Sequence, residues 1–173
     1  AAASLSQVHR AWMRDGRAVV VKIQRPDIRE TIVGDLEALG EIAHFLDEHT
    51  ELGKRYEFDN MLINLRKSLL RELDFTIEAN NLRSIGQSLT EFEQVVIPEP
   101  IDDYTTTRVL TMEYIAGKKI TALNPLRLLE IDGASLADEL FSAYLKQFLV
   151  DGMFHADPHP GNVFLTDDDR IAL

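Results

Sequence analysis

The 173-residue chain is predicted to be an α+β protein. Three observations predict this: an Asp-Gly turn between two β-rich runs near the start, two long stretches with apolar residues at helical spacing after it, and a return to short strands around one further helix. The first run is Val8–Trp12 and the second Ala18–Ile23, with Arg14-Asp15-Gly16-Arg17 between them, so the spacing predicts a β-hairpin. Arg25-Pro26-Asp27 ends the second strand. Ile28, Ile32, Leu36, Leu39, Ile42, Ala43 and Leu46 then recur every three or four residues, as in an amphipathic helix. A second helix is expected from about Glu57, with Met61, Leu62, Leu65, Leu69, Leu70 and Leu73 on one face, running or kinking through Glu72 to Leu82. Val95-Val96-Ile97 and Arg108–Tyr114 read as strands. Leu136, Leu140, Phe141, Tyr144, Leu145, Phe148 and Leu149 form another helical stripe, closed by Asp151-Gly152. The tail is two short strands, Asn162–Leu165 and Arg170–Leu173, around the acidic turn Asp167-Asp168-Asp169.

Composition narrows the function classes. With 45% hydrophobic and 27% charged residues the chain has the profile of a globular domain, large enough to fold without staples. Cysteine is absent, which removes disulfides, Cys-ligated metals and thiol catalysis. Eighteen basic against 29 acidic residues give a net charge of -11. With its Arg and Lys scattered, such a chain is not expected to bind nucleic acid. No apolar run approaches the ~20 residues needed to span a bilayer.

Five segments carry candidate chemistry. The densest is His155-Ala156-Asp157-Pro158-His159-Pro160-Gly161-Asn162, where two prolines and a glycine fix the backbone. Asp157 precedes Asn162 by five positions, the spacing of a kinase catalytic loop, in which the Asp accepts the substrate proton and the Asn holds magnesium. The segment also reads as a metal site of His155, Asp157 and His159, or as a turn capped by Asp and Asn. Lys22 follows three valines, as in the strand that aims an ammonium at nucleotide phosphates, though a lysine there also reads as a solvated edge residue. In the opening Ala1-Ala2-Ala3-Ser4-Leu5-Ser6-Gln7-Val8, Ala1, Ala3 and Ser6 fall on the glycines of a phosphate-binding loop and Val8 on its valine. A Cβ at each position keeps phosphate further from the backbone than glycine would. Arg71-Glu72-Leu73-Asp74 offers Glu72 as the helical carboxylate that holds Lys22, with Glu78 in reserve. Finally, Thr111–Gly117 reads as a strand running into a hinge, where the Glu113 carbonyl and Ile115 N–H would meet adenine and Met112 would line the pocket.

Taken in order, these segments resemble a protein-kinase-like fold. The Ala-rich opening, the Glu72-Leu73-Asp74 triplet and the His155–Asn162 loop are similar to the UbiB/ADCK family of atypical kinases across essentially the whole chain. The resemblance implies an N-lobe with an antiparallel sheet and family-specific helices over residues 1–116, and the start of a helical C-lobe over 117–173. It implies ATP or ADP with Mg2+ in the cleft and an ATPase or a small-molecule or lipid kinase activity. It also implies a link to ubiquinone or other isoprenoid lipids at a membrane. The compartment would be the cytoplasm or membrane of a bacterium, or a mitochondrion or plastid, with no secretion. By carry-over Lys22 contacts phosphates, Glu72 pairs with it, Asp157 is catalytic and Asn162 binds magnesium. Ala1, Ala2, Ala3, Ser4, Ser6, Val8, Met112, Glu113 and Ile115 line the nucleotide site. The family's K-x-G-Q segment and its Asp-Phe-Gly-type aspartate are expected outside these residues, so the stretch by itself is expected to be inactive. An open apolar face on the Leu136–Leu149 helix is expected to favour association.

Overall fold

The computed structural model describes residues 5–153 and 159–173. The expected hairpin forms from β1 (Ser6–Trp12) and β2 (Ala18–Gln24), paired in register from Ser6 with Gln24 to Trp12 with Ala18. Gly16 turns the chain at φ 88°, a conformation that a side chain would strain, and Asp15 accepts the Arg17 N–H at 3.0 Å. β4 (Val109–Glu113) adds to the other side of β2 and completes an antiparallel sheet in the order β1-β2-β4.

Between β2 and β4 the chain is mostly helical. α1 (Ile28–His49) follows the Pro26-Asp27 stop and is closed by Thr50, which also caps α2 (Glu51–Tyr56) by accepting the Gly53 N–H at 2.9 Å. α3 (Phe58–Glu72) starts under Asp47 of α1, whose carboxylate accepts the Phe58 and Asp59 N–H groups at 3.0 and 2.9 Å. The long second helix expected from Glu57 does not run through. Asp74 accepts the Thr76 N–H at 3.0 Å and its hydroxyl at 2.6 Å, so a new helix, α4 (Phe75–Ser88), begins there on its own axis.

A second sheet has the order β3-β7-β6-β5. β5 (Gly117–Lys119), β6 (Phe164–Thr166) and β7 (Ile171–Ala172) pair antiparallel, and β3 (Val95–Val96) joins β7 in parallel. A Cβ on Gly117 would stand 2.5 Å from the Leu165 carbonyl oxygen, so the close approach of β5 to β6 requires glycine. α5 (Pro125–Glu130) and α6 (Gly133–Lys146) lie between β5 and β6 in the chain, and α6 runs into a π-turn at Gln147–Asp151. Three buried clusters form the core, and one of them, around Ala143, joins the two halves. Phe75 and Ala79 of α4 pack on Leu110 of β4, while Leu89 and Val95 pack on Ala143 of α6. Leu136 packs with Val163, Leu165 and Ile171. Phe141, Phe148 and Leu149 are exposed, as are Met61 and Leu65 of α3.

Candidate functional site

Strand register gathers the first half of the site. Lys22 sits mid-strand on β2, opposite Val8 on one side and Leu110 on the other, and one step along the same face Val20 stands between Arg10 and Met112. Leu110 is fully buried and Phe75 nearly so, which gives the lysine an apolar floor. Its ammonium lies 4.9 Å from the centre of the Phe75 ring.

The partner of that ammonium is Glu78. Lys22 Nζ donates to Oε1 and Oε2 of Glu78, each at 2.8 Å. The expected pairing of Lys22 with Glu72 is not what the structure brings together. Glu72 is the last residue of α3 and exposed, and the break at Leu73-Asp74 separates it from the helix that packs on the sheet. A signal for Glu78 was present in the sequence. Phe75, Glu78, Ala79 and Leu82 fall at i, i+3, i+4 and i+7, so the carboxylate shares the stripe that packs under Lys22. Asp74 serves as the N-cap of α4.

The remaining sequence candidates divide by place. Ser6 is buried on β1 and Val8 half-buried beside Lys22, whereas Ala1, Ala2, Ala3 and Ser4 lie outside the described residues. Met112 pairs with Val20 and packs against the Phe75 cluster. Glu113 is exposed at the end of β4 and its N–H donates to the Glu99 carbonyl at 3.0 Å, and Ile115 follows, half-buried. At this end of the sheet the Arg10 guanidinium stacks on the Tyr114 ring at 3.9 Å, an interaction with no local signal in the sequence.

Asp157 and His155 lie outside the described residues. Asn162 ends the 3-10 turn Pro160–Asn162, is exposed, and donates its N–H to the His159 carbonyl at 2.8 Å. His159 Nδ1 accepts the Gly161 N–H at 2.9 Å, leaving only Nε2 of that ring open to another partner. Among the described residues no group of three His, Asp or Glu side chains gathers as a metal cage. Magnesium needs none: it commonly takes one or two protein oxygens and completes its shell with phosphates and water.

A cavity of about 600 Å3 opens beside the hinge, lined among others by Arg17, Val19, Val96, Ile101, Glu113 and Ile115. Val19 and Lys22 point to opposite faces of β2, so this cavity lies behind the sheet and is separate from the Lys22–Glu78 pair.

Comparison with known proteins gives the family of the chain. The family model described as the ABC1 atypical kinase-like domain matches residues 1–173. The Arabidopsis thaliana "Protein ACTIVITY OF BC1 COMPLEX KINASE 8, chloroplastic" is 39% identical over 170 residues, covering 96% of this chain and 22% of its own length. A "Probable protein kinase UbiB" of Cellvibrio japonicus is 34% identical, covering 97% of this chain and 30% of its own. The chain therefore spans less than a third of the length of these relatives. A solved structure, "The complex structure of Rv3197-erythromycin from Mycobacterium tuberculosis", superimposes with a TM-score of 0.72 at 26% identity, covering all of this chain and 43% of the other. Among the described residues no helix is long and apolar enough to cross a membrane.

Proposed function

Because the chain belongs to the ABC1 atypical kinase-like family, we propose that it forms the nucleotide-binding part of an ATP-dependent phosphotransferase or ATPase of the UbiB type. The observation that carries this reading is the Lys22–Glu78 pair. An ammonium held by both oxygens of a helical carboxylate, on an apolar sheet face, is pre-positioned to donate to phosphate oxygens rather than to wander in solvent. Met112 and Glu113 at the end of β4, and Ile115 just after it, stand where the adenine would be met, and Ser6 and Val8 lie on β1, which follows in sequence the Ala1–Ser4 segment that would pass over the phosphates. Asn162 offers an amide oxygen from a turn fixed by Pro160, and Asp157 would orient the acceptor hydroxyl or water and take its proton. Magnesium, when bound by Asn162 and the phosphates, would neutralise charge that builds on the transferred group.

Residues 1–116 and 117–173 would act as the two lobes of this cleft. By its resemblance to the UbiB/ADCK family, the full-length protein would act on an acceptor or effector in the metabolism of ubiquinone or another isoprenoid lipid, reached at a lipid surface through regions beyond these residues. In the full-length protein Asp157→Asn is expected to abolish ATP turnover while leaving nucleotide binding intact; undiminished turnover in that variant overturns the reading. A second reading, a module that binds a small molecule and signals without phosphorylating it, draws on the erythromycin complex of the similar structure. It predicts nucleotide or ligand binding with no phosphate release from the parent protein.

A further inference from the structure

α4 is fastened at both ends, and the two fastenings belong to different halves of the molecule. At its start, the Phe75 N–H donates to the Thr107 carbonyl at 3.1 Å, and the Gln24 amide bridges the Leu73 and Thr107 carbonyls, so the end bearing Glu78 is tied to β2 and the approach to β4. At its finish, Ser88 meets α6. Lys146 Nζ donates to the Ser88 carbonyl and to its hydroxyl, both at 2.8 Å, and pairs with Asp151 at 3.2 Å. The Ser88 hydroxyl in turn donates to Asp151.

The chemistry of this clamp is specific. The Ser88 carbonyl belongs to the last turn of α4, where carbonyls have no intrahelical donor and the helix dipole favours a cation, and Lys146 supplies both needs. The Ser88 hydroxyl and the Lys146 ammonium hold the Asp151 carboxyl below the usual carboxylate range, so it stays ionised. Both side chains of the ion pair are largely covered. Just beyond, the Gln94 N–H donates to Glu139 of α6 at 2.8 Å, and Leu89 and Val95 pack on Ala143, so the whole exit from α4 is seated on one helix. Asp151 closes the π-turn after α6, and four residues later in sequence stands His155, the start of the proposed catalytic loop.

We propose that Lys146, Asp151 and Ser88 are positioning residues that hold α4 in the place where Glu78 meets Lys22, and so couple that pair to the chain segment leading into the His155–Asn162 loop. This rests on the phosphotransferase reading above. None of the three touches the Lys22 ammonium; they act through a helix of 14 residues, about 20 Å long, whose far end they fix. A lever secured at both ends keeps the ion pair formed without nucleotide. Freeing one end lets Glu78 drift, and small misplacements of positioning groups cost rate more than affinity.

The test uses the full-length protein. Lys146→Met is expected to lower kcat for ATP turnover about tenfold while KM for ATP stays within about twofold, and Lys146→Arg to restore the rate. Amide hydrogen exchange across residues 75–88 is expected to rise about tenfold in Lys146→Met, with residues 28–49 unchanged. Where Lys146→Met does not accumulate folded, Asp151→Asn takes both measurements. Undisturbed exchange in α4, or a kcat equal to the parent's, overturns the clamp. Lys22→Met reports separately on the underlying reading: turnover that survives it sinks that reading, and the exchange measurement still decides the clamp.

Discussion

α3 and α4 are consecutive helices, similar in length and similarly amphipathic in sequence, and they meet opposite fates. α4 buries Phe75 and Ala79 against Leu110 and sets Glu78 against Lys22. α3 has no buried residue: Met61, Ile63 and Leu65 are exposed, and its last carboxylate, Glu72, faces solvent. Apolar periodicity shows that a helix has a face; what that face meets depends on the sheet and helices around it. A carboxylate becomes part of a site where rigid, buried neighbours hold it. The same residue type six positions earlier, at the exposed end of a helix with no buried side chain, remains an ordinary surface charge.

The largest expected effect breaks the seated helix. Phe75→Ala should cost about 3–5 kcal/mol of stability, whereas Leu65→Ala on exposed α3 should stay within about 0.5 kcal/mol; denaturant melts of both variants measure the contrast, and equal losses would erase it. Next comes the charge itself. Glu78→Gln should lower ATP turnover about a hundredfold, while Glu72→Gln, with no contact to Lys22, should retain the parent rate in the same assay. A larger loss from Glu72 would return the pairing to α3. Asp74→Ala should cost about 1 kcal/mol by removing the cap that separates the two helices, read as a shift in the urea midpoint at constant slope.

The smallest effect concerns the unseated side. His44 of α1 reaches Asp59 of α3 at 3.2 Å and Glu48 at 3.4 Å, and the hydrogen bond it donates to Asp59, followed by the charge of Glu48, raises its pKa above the ordinary value. A raised folded pKa means that the link is fully present below the unfolded value near 6.5 and is lost as pH rises through the folded one. The protection of amides at the start of α3, taken relative to their intrinsic exchange rate at each pH, should therefore fall as pH rises from about 6 to 8, and Asp59→Asn should remove that fall.

The legible parts of the fold were those with local signals. Asp15-Gly16 marked the hairpin, unbroken periodicity marked α1, and the acidic turn Asp167–Asp169 between two short apolar runs marked β6 and β7. α2 was missed because its six residues include a glycine and offer too little periodicity, and β5 because three residues ending in Lys118-Lys119 carry no strand signature. β3 was found as a strand, but its parallel partner, from the far end of the chain, could not be read from neighbours in sequence. In the site, Lys22 was legible from the valines before it. Glu72 took first place as its partner because it belongs to the recognisable triplet, and Glu78, held in reserve, takes the role once Phe75, Ala79 and Leu82 are recognised as one packed stripe.

The pairing of Val95-Val96 with Ile171-Ala172 also governs the order in which the chain matures on the ribosome. α1 to α3 contact each other locally and can assemble as they emerge, but the second sheet must wait until Ile171 has left the exit tunnel. Until then β3 has no partner, although the contacts of α4 with α6 can already form. Nascent chains stalled with Ile171 still inside the tunnel should consequently be cut by protease around Val95-Val96 more readily than chains stalled with it outside.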